Sequence, residues 1–205
     1  MKRLIFFILH FSFFITCAAA QPMMRDVFAA MPDSVLPLVT KNNRLDCIDF
    51  IENNMEARVR NKMGEYVTLE ALTADYARFR TSDLAILEMK LLPLDSIHPS
   101  SLVTHHSSYL LCLVTTIQTG EDGTSRRLED SNIRFLYPDW RPLAGPVPYV
   151  RPADAGFLHM QLSPDALTLT LTPQTALMTL EEKEHLLEPP LTIGLRWNGS
   201  TFVLE

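Results

Sequence analysis

Histidines and serines cluster in the polar segment 95–108, and these are the side chains with the most evident chemistry. His98, His105 and His106 offer imidazole nitrogens, and Ser107-Ser108 follow directly. Metal sites normally show spacings such as HExxH or paired CxxC, and the sequence has neither. Side chains consecutive in sequence also rarely form the hydrogen-bonded chain that activates a serine. We interpret the segment as a solvated connection. The third-ranked hypothesis is a hydrolase that uses either this His105-His106 loop or an acidic helix.

Four carboxylates provide a second candidate site on a predicted helix. Asp46, Asp49, Glu52 and Glu56 recur at helical spacing. Nothing apolar surrounds them in the sequence to raise a pKa, which a general acid would require. We interpret them as a wet helix face. The sequence also lacks a Gly-x-Ser-x-Gly elbow and a glycine-rich phosphate loop, so we expect a noncatalytic protein without a cofactor.

The best candidate for ligand binding is the run Tyr137-Pro138-Asp139-Trp140-Arg141-Pro142, which sets two aromatics, an acid and a base between prolines. Tyr137, Asp139, Trp140 and Arg141 can stack on a sugar or hold a peptide. The alternative is that Trp140 closes the open end of a sheet, because large aromatics often serve as core. A sheet face left uncovered is another candidate, suited to acyl chains or a partner's apolar segment.

The first twenty residues have the three parts of an export signal. A cationic start at Lys2 and Arg3 precedes an apolar run from Leu4 to Ile15, and a small-residue site follows at Ala18–Ala20. The run is too short to span a hydrocarbon core about 30 Å thick. We predict a signal peptide over 1–20 with cleavage after Ala20, and a periplasmic or outer-membrane-associated product.

The cysteines leave two questions open. Lipidation at Cys17 is the alternative to ordinary cleavage, but the residues before Cys17 lack the usual small residue and leucine, so cleavage after Ala20 is favoured. The mature chain then keeps Cys47 and Cys112, which can pair in an oxidising compartment. Both also sit in apolar patterns and fit buried free thiols.

Charge narrows the choice of partner. The formal net charge of −6 becomes −8 once Lys2 and Arg3 leave with the signal. An acidic chain of this kind is repelled by nucleic acid and by anionic lipid surfaces. The partners that remain are an envelope protein, a peptide, a glycan or an apolar ligand.

Hydrophobic periodicity divides the predicted domain, residues 21–205, into a helical part, 24–62, and a strand-rich part, 66–205. We expect Asn42 or Asn43 to cap the long helix, with Asp46 in its first turn. The apolar stripe predicted to dock it on the core recurs every three or four residues: Leu45, Ile48, Ile51, Met55 and Val59.

Beyond Gly64 the period changes to two. Glu88 and Lys90 alternate with apolar neighbours, whereas Tyr109–Ile117 is almost wholly apolar and predicts a central strand covered on both faces. Asn198-Gly199 predicts a hairpin with a two-residue type I′ turn. A capping box predicts a short helix over 179–187. The fold class is therefore α+β, with N-terminal helices packed on one curved, mainly antiparallel meander and one short late helix.

Several segments resemble a family of small exported Bacteroidetes proteins of unknown function. They lie across most of the mature chain: Asn42–Phe50, Val67–Tyr76, Leu87–Pro93 and Asp130–Pro142. The resemblance implies an exported single-domain protein and carries no activity. From the sequence we expect a noncatalytic binding or accessory protein of the cell envelope, a carrier or adaptor using its sheet face. The alternative is a structural or interaction module of an envelope complex.

Overall fold

The computed structural model describes residues 21–95, 108–119, 128–143, 146–149, 156–175 and 192–205. Within them lie two helices, α1 (Met24–Ala29) and α2 (Lys41–Glu52). Ten strands complete the described elements: β1 (Arg58–Arg60), β2 (Tyr66–Leu72), β3 (Tyr76–Ser82), β4 (Ala85–Pro93), β5 (Tyr109–Thr119), β6 (Leu128–Leu136), β7 (Leu158–Leu162), β8 (Thr168–Pro173), β9 (Ile193–Trp197) and β10 (Phe202–Leu204). The predicted signal peptide and the predicted late helix lie outside the described residues.

The strands form two antiparallel sheets, where the sequence predicted one. Sheet A has the order β1-β2-β3-β4-β5-β6, and sheet B has the order β10-β9-β8-β7. The antiparallel α+β class is thus confirmed in outline, with both helices at the N-terminal end, but the single sheet is wrong. The connection between β6 and β7 contains Pro142, Pro146 and Pro148, which have no N–H to continue a ladder. Part of this connection instead follows the edge of sheet B, where the carbonyl of Pro148 accepts a hydrogen bond from Phe202 N at 3.3 Å.

The strands β4 and β5 of sheet A are buried on both faces. In β5, Leu111 and Leu113 belong to a core cluster shared with α1 and α2, whereas Leu110, Cys112 and Val114 belong to a second cluster shared with sheet B. This arrangement explains why β5 lacks alternation, and it confirms the prediction of a central strand covered on both sides. Each leucine so buried stabilises the fold by about 1.5–3 kcal/mol.

The long helix is shorter than its sequence pattern indicated. Its N-cap is Thr40, whose hydroxyl accepts from the N–H of Asn43 while the Asn43 side chain accepts from the N–H of Thr40. Asn43 is therefore the third helical residue and not the cap, and Asp46 falls beyond the first turn. The helix ends at Glu52, before Asn54, which has φ +56°. A reciprocal cap at one end and a left-handed residue near the other define this helix.

The predicted apolar stripe is consequently displaced. The buried residues of α2 are Arg44, Cys47 and Ile48, while Leu45 and Met55 are exposed. Val59, predicted as the last position of the stripe, lies in β1. The guanidinium of Arg44 is buried because it holds the preceding loop by hydrogen bonds to backbone carbonyls and to a carboxylate: Val39 O (2.9 Å), Met31 O and Asp33 Oδ1 (3.1 Å).

The C-terminal hairpin is confirmed, but its turn differs from the prediction. Trp197 pairs with Phe202, so the connection has four residues, and Gly199 has φ +96° whereas Asn198 is not in the positive-φ region. The Asn198 Oδ1 atom accepts hydrogen bonds from two backbone amides further along the loop, at 3.0 and 2.9 Å. This side-chain closure replaces the type I′ turn.

The same hairpin touches sheet A. The Gly199 carbonyl accepts a hydrogen bond from Asp95 N at 3.0 Å. A Cβ at Gly199 would lie 2.8 Å from the Asp95 Cβ, so the approach requires glycine. Trp197 Nε1 donates to the Pro93 carbonyl at 2.6 Å. The end of β4 and the β9–β10 loop therefore fix one corner of the two-sheet structure.

Candidate functional site

The structure places the four residues of the predicted ligand site in different environments, although the Arg141 guanidinium carbon lies 5.8 Å from the centroid of the Tyr137 ring. Tyr137 and Trp140 are buried, Tyr137 between the sheets and Trp140 on the helix side. Trp140 has φ +69°, and its Nε1 donates to the Val27 carbonyl of α1 at 2.9 Å. Asp139 and Arg141 are exposed and pair with each other at 2.6 Å. Trp140 is thus a core side chain, as the alternative interpretation held. Ligand binding by the four residues stays a prediction.

Cys47 and Cys112 are free thiols in different cores. Cys47 packs in the helix-side cluster and Cys112 in the cluster between the sheets, so sheet A separates them. The predicted disulfide alternative is therefore absent from the structure. Burial raises the pKa of Cys47 to about 11. Burial, with a smaller effect of the Glu88 charge, raises the pKa of Cys112 as well.

The remaining sequence candidates form no catalytic constellation in the part of the chain that is described. His98, His105 and His106 lie outside it. On the acidic helix face, Glu52 pairs with Arg25 at 2.6 Å. No group of three or more His, Cys, Asp or Glu side chains suited to a metal occurs among the described residues.

A buried polar network between the sheets was missed by the sequence analysis. Glu88 is 2% exposed, although its alternation with apolar residues placed it on a polar face. Its Oε1 accepts from the Tyr76 hydroxyl at 2.6 Å and from Arg78 NH1 at 2.7 Å, and its Oε2 accepts from Leu162 N at 3.3 Å. Burial, reinforced by Glu88, raises the pKa of Tyr76. Three donors thus compensate the buried carboxylate.

Lys90 is likewise buried on the same face of β4. It is 2% exposed, and its Nζ contacts Asp75 Oδ2 at 2.9 Å and the Pro164 carbonyl at 2.8 Å. A clue in the sequence was available. Two charges within an otherwise apolar strand are expensive to bury unless other parts of the chain supply partners. Here the partners come from residues 10 to 74 positions away, so only the fold reveals them.

Side chains of sheet A also satisfy the free edge of sheet B. The N–H groups of Leu158, Met160 and Leu162 lie on the side of β7 away from β8. They donate to Asp130 Oδ1 (3.2 Å), Ser131 Oγ (2.9 Å) and Glu88 Oε2. An edge strand with unpaired amides is otherwise prone to pair with another chain. The network therefore docks the sheets and blocks this edge, which identifies it as structural and not as a reaction site.

The candidate binding surface that is exposed to solvent is the part of sheet A that sheet B leaves uncovered. β7 contacts β4, β5 and β6, and the same face of β1, β2 and β3 extends beyond it. Neighbouring residues such as Val59, Val67 and Phe79 point to the helix side. We call the opposite-facing side chains the arginine face: Arg58, Arg60, Tyr66, Thr68, Glu70, Arg78 and Arg80.

Two guanidinium groups of this face lie against one aromatic ring. The Arg58 and Arg60 guanidinium carbons are 3.8 and 4.6 Å from the centroid of the Tyr66 ring. Arg60 also donates to the Tyr66 hydroxyl at 3.2 Å and to the Gly64 carbonyl at 3.1 Å. Tyr66 is 43% exposed, so the stack faces solvent. Cation–π contact and the strand geometry hold both arginines extended on the surface.

The neighbouring arginines hold a carboxylate. Arg78 Nε and Arg80 Nε donate to the two oxygens of Glu70 at 2.8 and 2.6 Å. Burial by itself raises the pKa of Glu70, but the hydrogen bonds from both arginines outweigh it, and the net effect is a lowered pKa. For Arg78, burial opposes the charged form, but Glu70 and Glu88 outweigh it, and its pKa is raised. The arginine face therefore contains one complete Arg–carboxylate–Arg clamp.

A shallow depression lies on another side of the molecule. It has a volume of about 280 Å³ and is lined by residues of α1, α2 and the β2–β3 turn, including Met23, Arg25, Ile51 and Leu72. It is open, and Arg25 and Glu52 are already paired in its wall. It holds fewer uncommitted polar groups than the arginine face. Among the described helices, none is long and apolar enough to cross a membrane.

The fold and the surface define a class: a two-sheet antiparallel protein with N-terminal helices, a filled core and an exposed arginine face. The chain belongs to the family described as "Protein of unknown function (DUF3256)", whose model matches residues 16–152. The matched range takes in both helices and sheet A and stops before β7. No curated protein matches the chain.

One solved structure is similar to this chain. It is a domain of an uncharacterized protein from Porphyromonas gingivalis W83, with a TM-score of 0.64 and 23% sequence identity. The match covers 91% of this chain and 99% of that one. At this identity the likeness shows the fold alone.

Proposed function

We propose that the protein is an exported, noncatalytic binding or accessory protein of the cell envelope, whose partner binds at the arginine face. One observation supports this proposal above the others. An otherwise acidic chain presents Arg58 and Arg60 on a half-exposed tyrosine, and these two arginines have no ion pair within the described residues. Exposed arginine and tyrosine are the side chains most enriched at interaction surfaces.

The carrier version of this function has less support. A carrier needs space for an apolar ligand between helix and sheet. In the described core this region is occupied by packed side chains: Phe28, Cys47, Ile48 and Phe79. The centroids of the two phenylalanine rings are 5.2 Å apart. A structural module of an envelope complex would use the same exposed face and differ only in the lifetime of the complex. A hydrolase would need the 95–108 segment or the acidic helix face, on which Glu52 is already paired with Arg25.

Two measurements in the native host test the proposal. The first is fractionation of cells expressing the full chain, followed by mass spectrometry of the product. We expect the product in the envelope or periplasmic fraction with Gln21 at its N-terminus. An intact N-terminus in the cytosol would contradict the export part of the proposal.

The second is in-cell crosslinking and purification of three forms: wild type, Arg58→Gln/Arg60→Gln, and Arg134→Gln/Arg196→Gln as control. The control arginines are also exposed strand residues, and they lose the same charge away from the arginine face. We expect a partner that wild type and control retain and that the Arg58/Arg60 variant loses. Identical partners from all three forms would contradict the assignment of the surface.

A further inference from the structure

Building on the proposed function, we propose that Arg58 and Arg60 bind carboxylate side chains of a short acidic segment of the partner protein. The arginine face supplies its own precedent. Arg78 and Arg80 are two residues apart on β3 and hold Glu70 between them. Arg58 and Arg60 are two residues apart on β1, on the same face. The second pair repeats the first without a glutamate.

The ion pairs of the described chain show which pair is complete. Glu70 is shared by Arg78 and Arg80, and Glu88 also pairs with Arg78. Neither Arg58 nor Arg60 has a carboxylate within 4.0 Å among the described residues. Planar guanidinium groups match carboxylates in a bidentate geometry, so an arginine pair without a carboxylate favours this chemistry over a point-charge ligand.

The register of the strands extends the vacant site toward the clamp. Arg58 pairs with Thr68, and Thr68 pairs with Arg80, so these three residues form one row across the sheet. Strands lie about 4.8 Å apart, which puts the two arginine backbones about 10 Å apart with a hydroxyl between them. An extended acidic segment lying along this row meets Arg58, which has no carboxylate partner, at one end and the Arg80–Glu70 pair at the other.

The partner segment docks through side chains and not by adding a strand. Two outward backbone groups of β1 are already used: the Arg60 carbonyl accepts from Asn43 Nδ2 at 2.9 Å, and Arg58 N donates to the Glu56 carbonyl at 2.9 Å. Strand addition depends on free edge groups of this kind. The ligand contacts available here are therefore guanidinium groups, the Tyr66 ring and the Thr68 hydroxyl.

Net charge favours a short segment over a long polyanion. A polyanion that covers much of the surface meets a chain of formal charge −6, or −8 after signal removal. Charges farther than a screening length of about 8 Å at physiological salt contribute little, so a short segment is attracted by the arginine face alone. Acidic side chains of a protein thus fit better than a sulfated or phosphorylated polymer.

The test uses chain 21–205 and a short fluorescein-labelled peptide with glutamate at alternate positions, measured by fluorescence anisotropy. The matched probe replaces each glutamate by glutamine. We expect the glutamate peptide to bind and the glutamine peptide not to. Arg58→Gln/Arg60→Gln should weaken binding about tenfold, the combined effect of two exposed guanidinium–carboxylate contacts. The charge-matched Arg134→Gln/Arg196→Gln control should change it less than about twofold.

Three results would overturn the inference: equal binding of the two peptides, equal weakening by both double variants, or tighter binding of a sulfated oligosaccharide than of the glutamate peptide. Circular dichroism of each variant verifies its fold, and Arg58→Lys/Arg60→Lys, which keeps the charge but loses the fork, should recover only part of the affinity. If the peptide fails while the crosslinked partner still depends on Arg58 and Arg60, the carboxylate chemistry is wrong and the proposed function stands. If both fail, the proposed function falls too.

Discussion

The buried tyrosine–glutamate contact between the sheets predicts a measurable loss of stability. Tyr76→Phe removes only the hydroxyl, which donates to Glu88 Oε1 at 2.6 Å. Hydrogen bonds to charged groups contribute about 1.5–3 kcal/mol. Glu88 keeps its contacts with Arg78 and Leu162 N, so we expect a loss near the lower half of that range, about 2 kcal/mol. For a domain of this size the corresponding drop in Tm is about 4–8 °C.

Urea unfolding followed by tryptophan fluorescence measures the effect, because Trp140 and Trp197 are buried in different core clusters and report on both sides of sheet A. Tyr66→Phe is the control, since it removes an exposed hydroxyl and should cost less than about 0.5 kcal/mol. A double-mutant cycle with Glu88→Gln should show coupling of about 1–2 kcal/mol. Equal losses for the two tyrosine variants, or no coupling, would refute the account of the network.

Three further predictions concern other parts of the fold. Gly199→Ala should destabilise the protein by about 1–3 kcal/mol more than Gly64→Ala: both glycines have positive φ, but only at Gly199 would the new Cβ lie 2.8 Å from another side chain. Equal losses would contradict the close approach of the β9–β10 loop to β4. Because the pKa of Glu70 is lowered, its ionised carboxylate stabilises the fold at pH values above the ordinary glutamate pKa of about 4.3. This stabilisation is lost as the pH falls through the lowered pKa of the native state. The free energy of unfolding should therefore change less with pH across the acid range for Glu70→Gln than for wild type. An equal pH dependence for both proteins would refute the clamp. Buried Cys47 and Cys112 should react slowly with a thiol reagent at pH 8 and fully after unfolding without reductant; no reaction after unfolding would indicate a disulfide.

Local patterns predicted the parts of the fold that depend on neighbouring residues. The Asn198-Gly199 dipeptide predicted the C-terminal hairpin, and the continuous apolar run of β5 predicted a strand buried on both faces. The predicted helix boundaries were wrong because the apolar pattern continues past the true end of the helix. The capping contacts of Thr40 and the left-handed backbone of Asn54 set the observed ends. The prediction of a single sheet was wrong because short-range pairing rules give no position for a sheet break.

The candidate surface shows the same limit. Arg58 was assigned to a helix, so its pairing with Thr68 and its approach to Tyr66 were invisible in the sequence. For Trp140 the sequence left two interpretations open, ligand binding or closure of the sheet, and the structure shows its indole donating to a helix carbonyl in the core. Both cases have one cause. A sequence shows which side chains have chemistry, whereas tertiary packing decides which of them reach solvent.

Site-specific photocrosslinking in living cells tests the central claim most directly. A benzophenone amino acid replaces Tyr66 in one strain and exposed Leu38, which lies on the loop before α2, in another. Our account predicts a discrete protein adduct in the envelope fraction from position 66 and none of the same mass from position 38. Adducts of equal yield from both positions, or none from position 66, would contradict binding at the arginine face.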